Sequence, residues 1–123
     1  MKTLLSVTAI LEAVTGLALL AVPSRVVAVL LGASLDSPGG QLVAQIAGAA
    51  LLSLALACWW SRHGDGAPTM LRTMILYNGV VAALLVYGNL ILALSGIGLW
   101  PAVFAHVGLG SWCVAAYRKK YSS

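Results

Sequence analysis

Leu4-Leu-Ser-Val-Thr-Ala-Ile-Leu-Glu12-Ala-Val-Thr-Gly-Leu-Ala-Leu-Leu-Ala-Val22 is nineteen residues long and holds one ionisable side chain, Glu12. At about 1.5 Å per residue, a helix of this length spans the roughly 30 Å hydrocarbon core of a bilayer. Its ten Leu, Ile and Val residues each favour insertion. At about −0.3 to −0.6 kcal/mol apiece, they outweigh one buried carboxyl at about +3 kcal/mol. The run exceeds the roughly 7–15 apolar residues of a signal-peptide core, and a central carboxyl is foreign to such a core. The stretch therefore reads as a retained transmembrane helix.

Three further runs of the same character follow, at about 41–60, 72–94 and 99–117. The chain is expected to be all-α, one domain over residues 1–123, forming an integral-membrane four-helix bundle of up-down topology. Pro23 ends or kinks the first run, because it lacks an N–H and crowds the preceding turn. The apolar segment at about 24–34 is too short to span and is expected to lie along the interface or prolong the first helix. Asp36-Ser-Pro-Gly-Gly40, Arg62-His-Gly-Asp-Gly-Ala-Pro68 and Ser95-Gly-Ile-Gly98 are turn-forming connections. Pro101 falls in the first turn of the last helix, where proline is tolerated.

Composition agrees. Of 123 residues, 61% are hydrophobic and 8% charged, the charged share being about a third of that in soluble domains. Ten charges cannot clothe a soluble surface. The net charge of +4 does not point to nucleic acid, because the basic residues are few and scattered. They mark orientation instead. If the runs alternate, Lys2, Arg62, Arg72, Arg118, Lys119 and Lys120 share one side and Arg25 stands alone on the other. That bias places both ends of the chain and the 61–73 loop in the cytoplasm, and the expected location is the inner (plasma) membrane. Trp59, Trp60, Trp112, Tyr117 and Tyr121 suit the inner aromatic belt, Trp100 the outer. Cys58 and Cys113 lack metal-ligand spacing and fall toward the reducing side, so they read as packing residues. The two halves show no repeat of the kind found in inverted-repeat transporters.

Polar side chains within the spans must find partners or face a cavity. Glu12 lies about 12 Å from the inner edge and His106 about 16 Å, so the two are expected to meet near the bilayer centre. Thr8, Glu12, Thr15 and Gly16 share a face of the first helix. Ala102, His106, Gly110 and Cys113 do so on the last. Gln45, Ala49, Ser53 and Ala57 form a small-and-polar stripe on the second, and Asn78, Ala82, Leu85 and Asn89 a heptad-spaced face on the third. All four faces are expected to look inward. Tyr77 and Tyr87 reach similar depths, but tyrosine is common there and ordinary packing accounts for them. The candidate ligand-binding set is Glu12, His106, Gln45, Asn78, Asn89 and Ser53. A lone intramembrane histidine is short of the two axial ligands usual for a b-type haem, and Glu12 with His106 falls short of a zinc site. No nucleophile triad or phosphate loop occurs, and no enzyme is expected.

Ala9-Ile-Leu-Glu12-Ala-Val-Thr-Gly16, followed by Pro23, and Ala44-Gln-Ile-Ala-Gly48-Ala-Ala-Leu-Leu-Ser53 resemble small bacterial membrane proteins of the broad DoxX-like type. The arginine often seen early in that family's first helix is absent. The resemblance implies an accessory near redox and quinone chemistry. The chain also resembles small multidrug-resistance exporters in length, span number and a mid-helix glutamate, here Glu12, which in that family exchanges protons for a lipophilic cation. The glycine pattern of their third helix is missing from Gly79-Val-Val-Ala-Ala-Leu-Leu-Val-Tyr-Gly88. The expected function is binding of a lipophilic small molecule, a quinone or lipid, or of a partner's transmembrane helix, with no resident metal or cofactor. The alternatives are a proton-coupled exporter and a structural subunit, working as a homo-oligomer or in a larger membrane complex.

Overall fold

The computed structural model describes residues 1–121. It contains five helices: α1 (Lys2–Ala21), α2 (Pro23–Leu31), α3 (Pro38–Ser61), α4 (Ala67–Leu90) and α5 (Leu99–Tyr121). All but α2 are long and apolar enough to cross a membrane, so the chain is a multi-pass membrane protein.

Local chemistry sets the breaks. Val22 leaves helical geometry at φ −138°, and Pro23 then opens α2 at a position where its missing N–H costs nothing. Gly32, at φ 63°, ends α2 in the left-handed region that favours glycine. Ser37 caps α3, its hydroxyl accepting a hydrogen bond from the Gly40 amide at 2.9 Å. Four boundaries of the long helices differ from the sequence reading by three residues or more: α3 begins at Pro38 rather than about 41, and α4 ends at Leu90 rather than about 94. α4 begins at Ala67, because Pro68 is accommodated in its first turn rather than serving as loop. α5 continues to Tyr121, with Arg118, Lys119 and Lys120 in the last turn, where cations complement the helix dipole.

The four long helices form two antiparallel pairs. In the α1/α3 pair, Gly16 faces Gly48 so closely that a Cβ on either would lie 2.7 Å from the other's carbonyl oxygen. The Gln45 amide donates to the Leu20 carbonyl at 3.2 Å, one turn away. In the α4/α5 pair, Gly110 packs on Asn78, and the Arg72 guanidinium donates to the Tyr117 hydroxyl at 2.9 Å. The pairs join at the end where Leu4, Leu5, Cys58, Leu71, Met74 and Cys113 form a core. At the far end, backbone hydrogen bonds make the second junction. Ser95 N–H donates to Leu31 at 3.1 Å and Gly98 N–H to Val29 at 2.8 Å, fastening α2 to the α4–α5 connection.

The middle of the expected stripe on the second span is turned outward, while Gln45 and Ala57 at its ends are half-buried. Ala49 and Ser53 are exposed, and the buried face of α3 is Gly48, Ala55 and Cys58. Close approach to α1 requires glycine rather than serine at the crossing, and the Ser53 hydroxyl satisfies itself on the Ala49 carbonyl at 2.9 Å.

This packing yields a paired test. Gly16→Ala or Gly48→Ala drives a methyl into backbone atoms and should destabilise the protein by about 1–3 kcal/mol. Gly79→Ala and Gly108→Ala meet open space and should be neutral or stabilising by up to about 1 kcal/mol. Thermal unfolding in detergent compares the four; equal losses at all positions would contradict the tight crossing.

Candidate functional site

Beyond the basic-end core the bundle opens. A cavity of about 570 Å³ is lined by α1 from Leu11 to Leu19, α2 from Arg25 to Leu30, α4 at Tyr77, Val81 and Leu85, and α5 from Ala102 to Leu109, with Gly98 from the α4–α5 connection and Leu51 from α3. The α1/α3 crossing holds α1 against α3, and the cavity occupies the space between α1, α4 and α5. Its walls are mostly aliphatic. Polar side chains gather at two levels: Glu12, Tyr77 and His106 near mid-span, with Thr15 next along α1, and Arg25 at the far end.

The mid-span group is built by three helices. Glu12 is only 4% exposed, and its Oε2 accepts a hydrogen bond from the Tyr77 hydroxyl at 3.1 Å. The Tyr77 ring stands edge-on to the His106 imidazole, with centroids 5.7 Å apart, a favoured aromatic geometry. His106 Nδ1 lies 2.8 Å from Asn78 Oδ1. The Asn78 amide nitrogen is committed to the Met74 carbonyl at 2.8 Å. Asn78 Oδ1 can only accept, so His106 Nδ1 is the donor and Nε2 is left for a ligand or a proton. The arrangement offers a carboxyl, a hydroxyl and an imidazole nitrogen side by side, facing aliphatic walls.

The anticipated Glu12–His106 contact therefore takes another form. Both line the same cavity, as depth counting suggests, but Tyr77 stands between them and Asn78 is the imidazole's hydrogen-bond partner. Tyr77, read as packing, carries the link. The signal available in the sequence was its adjacency to Asn78, which puts successive residues of one helix in reach of both Glu12 and His106. Arg25 was read only as an exception to the charge bias. Its role follows from α2 folding across the bundle, which no periodicity encodes.

The other candidates are placed apart from the cavity wall. Gln45 ties α3 to the end of α1, Ser53 faces outward, and Asn89 closes the end of α4 by donating to the Leu94 carbonyl at 2.8 Å. Asn78 acts through His106. Their polar atoms serve backbone carbonyls or, for Asn78, His106 as well, as in other membrane bundles. Cys58 and Cys113 are free and buried, as the sequence reading expects.

The Tyr77–Glu12 contact is open to a mutant cycle. Tyr77→Phe and Glu12→Leu should each lower the stability, by the roughly 0.5–1.5 kcal/mol of one hydrogen bond or somewhat more. The double variant should cost less than their sum. Additive losses would show that the two do not interact. No protein-family model, curated protein or solved structure matches the chain.

Proposed function

We propose that this protein is a multi-pass protein of the inner membrane that holds a lipophilic small molecule with a hydrogen-bonding head, of the quinone or lipid class. The observation that carries the reading is an aliphatic cavity of about 570 Å³ ending on Glu12, Tyr77 and His106. Sites for small lipophiles combine apolar walls with a few convergent polar groups in roughly 300–1,000 Å³. A carbonyl or hydroxyl head meets the Glu12–Tyr77–His106 group, while a chain or ring lies along Val26, Val81 and Leu85. A quinone also accords with the DoxX-like resemblance of the first span.

One rival occupant fits less well. A lipophilic cation, the cargo of the exporter reading, would share the cavity with Arg25 and be repelled by it. The six-to-one charge bias supports a cytoplasmic location for both ends of the chain and the α3–α4 loop.

Two measurements test the proposal. Mass spectrometry of gently purified protein should find a stoichiometric lipophile. Ala105→Trp, which inserts a ring from the cavity wall, should release it without lowering the unfolding midpoint of lipophile-free protein. An empty wild-type protein, or a lipophile indifferent to Ala105→Trp, would exclude this cavity as the site. For orientation, single cysteines at Gly39 and His63, both exposed, are introduced into a protein lacking Cys58 and Cys113. In whole cells, the cysteine at position 39 should react with an impermeant reagent and the one at 63 should not. The reverse result would invert the assignment.

A further inference from the structure

A second concavity lies at the opposite end of the molecule and takes no part in the lipophile reading. It is a cleft of about 750 Å³ formed where the start of α1, the α3–α4 connection and the last turns of α5 converge. Its lining includes Lys2, Arg62, Lys119 and Lys120, and among the described residues no carboxylate lines it. Sequence distance conceals the grouping, since these cations come from three separate parts of the chain.

The apolar part of the lining gives the cleft a direction. Trp112, Ala115 and Ala116 line it from the membrane-spanning helix α5, so one wall continues down the bundle while the cations ring the rim. Trp112 is partly exposed, as suits an indole at the boundary between headgroups and acyl chains. Not every cation is equally free. The Arg62 guanidinium stacks on the Trp59 ring, 3.4 Å from its centroid, and donates to the Trp59 carbonyl. That fixes Arg62 at the rim as a preoriented charge. Lys119 and Lys120 are exposed on the last turn of α5, and Lys2 opens α1.

We infer that this cleft is a binding site for the phosphate headgroup of an anionic phospholipid, with Lys2, Arg62, Lys119 and Lys120 taking the phosphate and Trp112, Ala115 and Ala116 the glycerol and upper acyl chain. A free anion has no use for the apolar wall, and a neutral lipid has none for four cations. Basic pockets between spans at the cytoplasmic face are suited to such headgroups, and each nearby cation strengthens the attraction. The geometry distinguishes a site from a diffuse positive rim. Arg72 and Arg118 lie at the same end, but Arg72 is engaged with Tyr117 and neither residue lines the cleft.

The experiment exploits that contrast. Purified protein in neutral detergent is titrated with phosphatidylglycerol, with phosphatidylcholine and with inorganic phosphate, and the bound fraction is read by native mass spectrometry. Wild-type protein should take up phosphatidylglycerol in preference to phosphatidylcholine, and inorganic phosphate should not displace it at equal concentration. Lys119→Gln with Lys120→Gln should weaken phosphatidylglycerol binding by about 10- to 30-fold. Lys119→Arg with Lys120→Arg should retain it, which separates loss of charge from loss of folding. Arg72→Gln with Arg118→Gln removes the same charge outside the cleft and should change binding by less than about threefold. Equal losses in the two glutamine pairs, no preference over phosphatidylcholine, or ready displacement by inorganic phosphate would each overturn the assignment. Loading of the Glu12 cavity should be the same in all these variants.

Discussion

The contact between Gly16 and Gly48 governs the rest of the architecture. In a lipid environment apolar surface gains little from being hidden, so helices associate where their backbones approach closely enough for dense van der Waals contact. Two glycines facing each other provide that on α1 and α3. The consequence is asymmetry. α1 is committed to α3, α5 to α4, and the space left between the pairs is filled by side chains only where Leu4, Leu5, Leu71 and Met74 meet. Toward the other end, Leu85, Leu99 and Val103 form a smaller cluster, and a cavity remains.

That asymmetry explains how a carboxyl is kept in mid-membrane. Glu12 sits where the packed half gives way to the hollow half, one turn from Gly16. The same glycine crossing that positions its helix leaves room in front of it. Tyr77 meets one oxygen, and His106 is aligned beside Tyr77 by Asn78. A polar group of this kind within a bundle is satisfied from several helices at once, which ties the relative heights of α1, α4 and α5 to one another.

Much of this was legible in the residues and some was not, for definite reasons. Span number and class follow from solvation alone, because runs such as Leu4–Val22 have no stable place in water. The depths of Glu12 and His106 follow from helical rise, which is why they were correctly referred to a common level. The partner of each was not legible. Depth counting fixes height but not rotation, and a rotation of one helix decides whether Glu12 meets an imidazole or a phenol. On α3, a polar residue was a poor guide to the buried face. Ser53 satisfies its own hydroxyl on the preceding turn and is free to face lipid, whereas Gly48, with nothing to mark it but size, makes the contact. Arg25 and α2 were illegible for a third reason: the placement of a short helix is decided by what it docks against.

That docking bears on how the protein is made. The helix that closes the cavity, α2, emerges early, between the two members of the first pair. The groups that fasten it are the amides of Ser95 and Gly98, which follow the whole of α4. A nascent chain can form the α1/α3 pair as soon as α3 has entered the membrane, but the carbonyls of Val29 and Leu31 then wait without these partners until α5 begins. Completion of the cavity is thus deferred until α5 is made. A chain inserted only as far as α3 lacks both the α4 and α5 walls and the Ser95 and Gly98 amides that fasten α2.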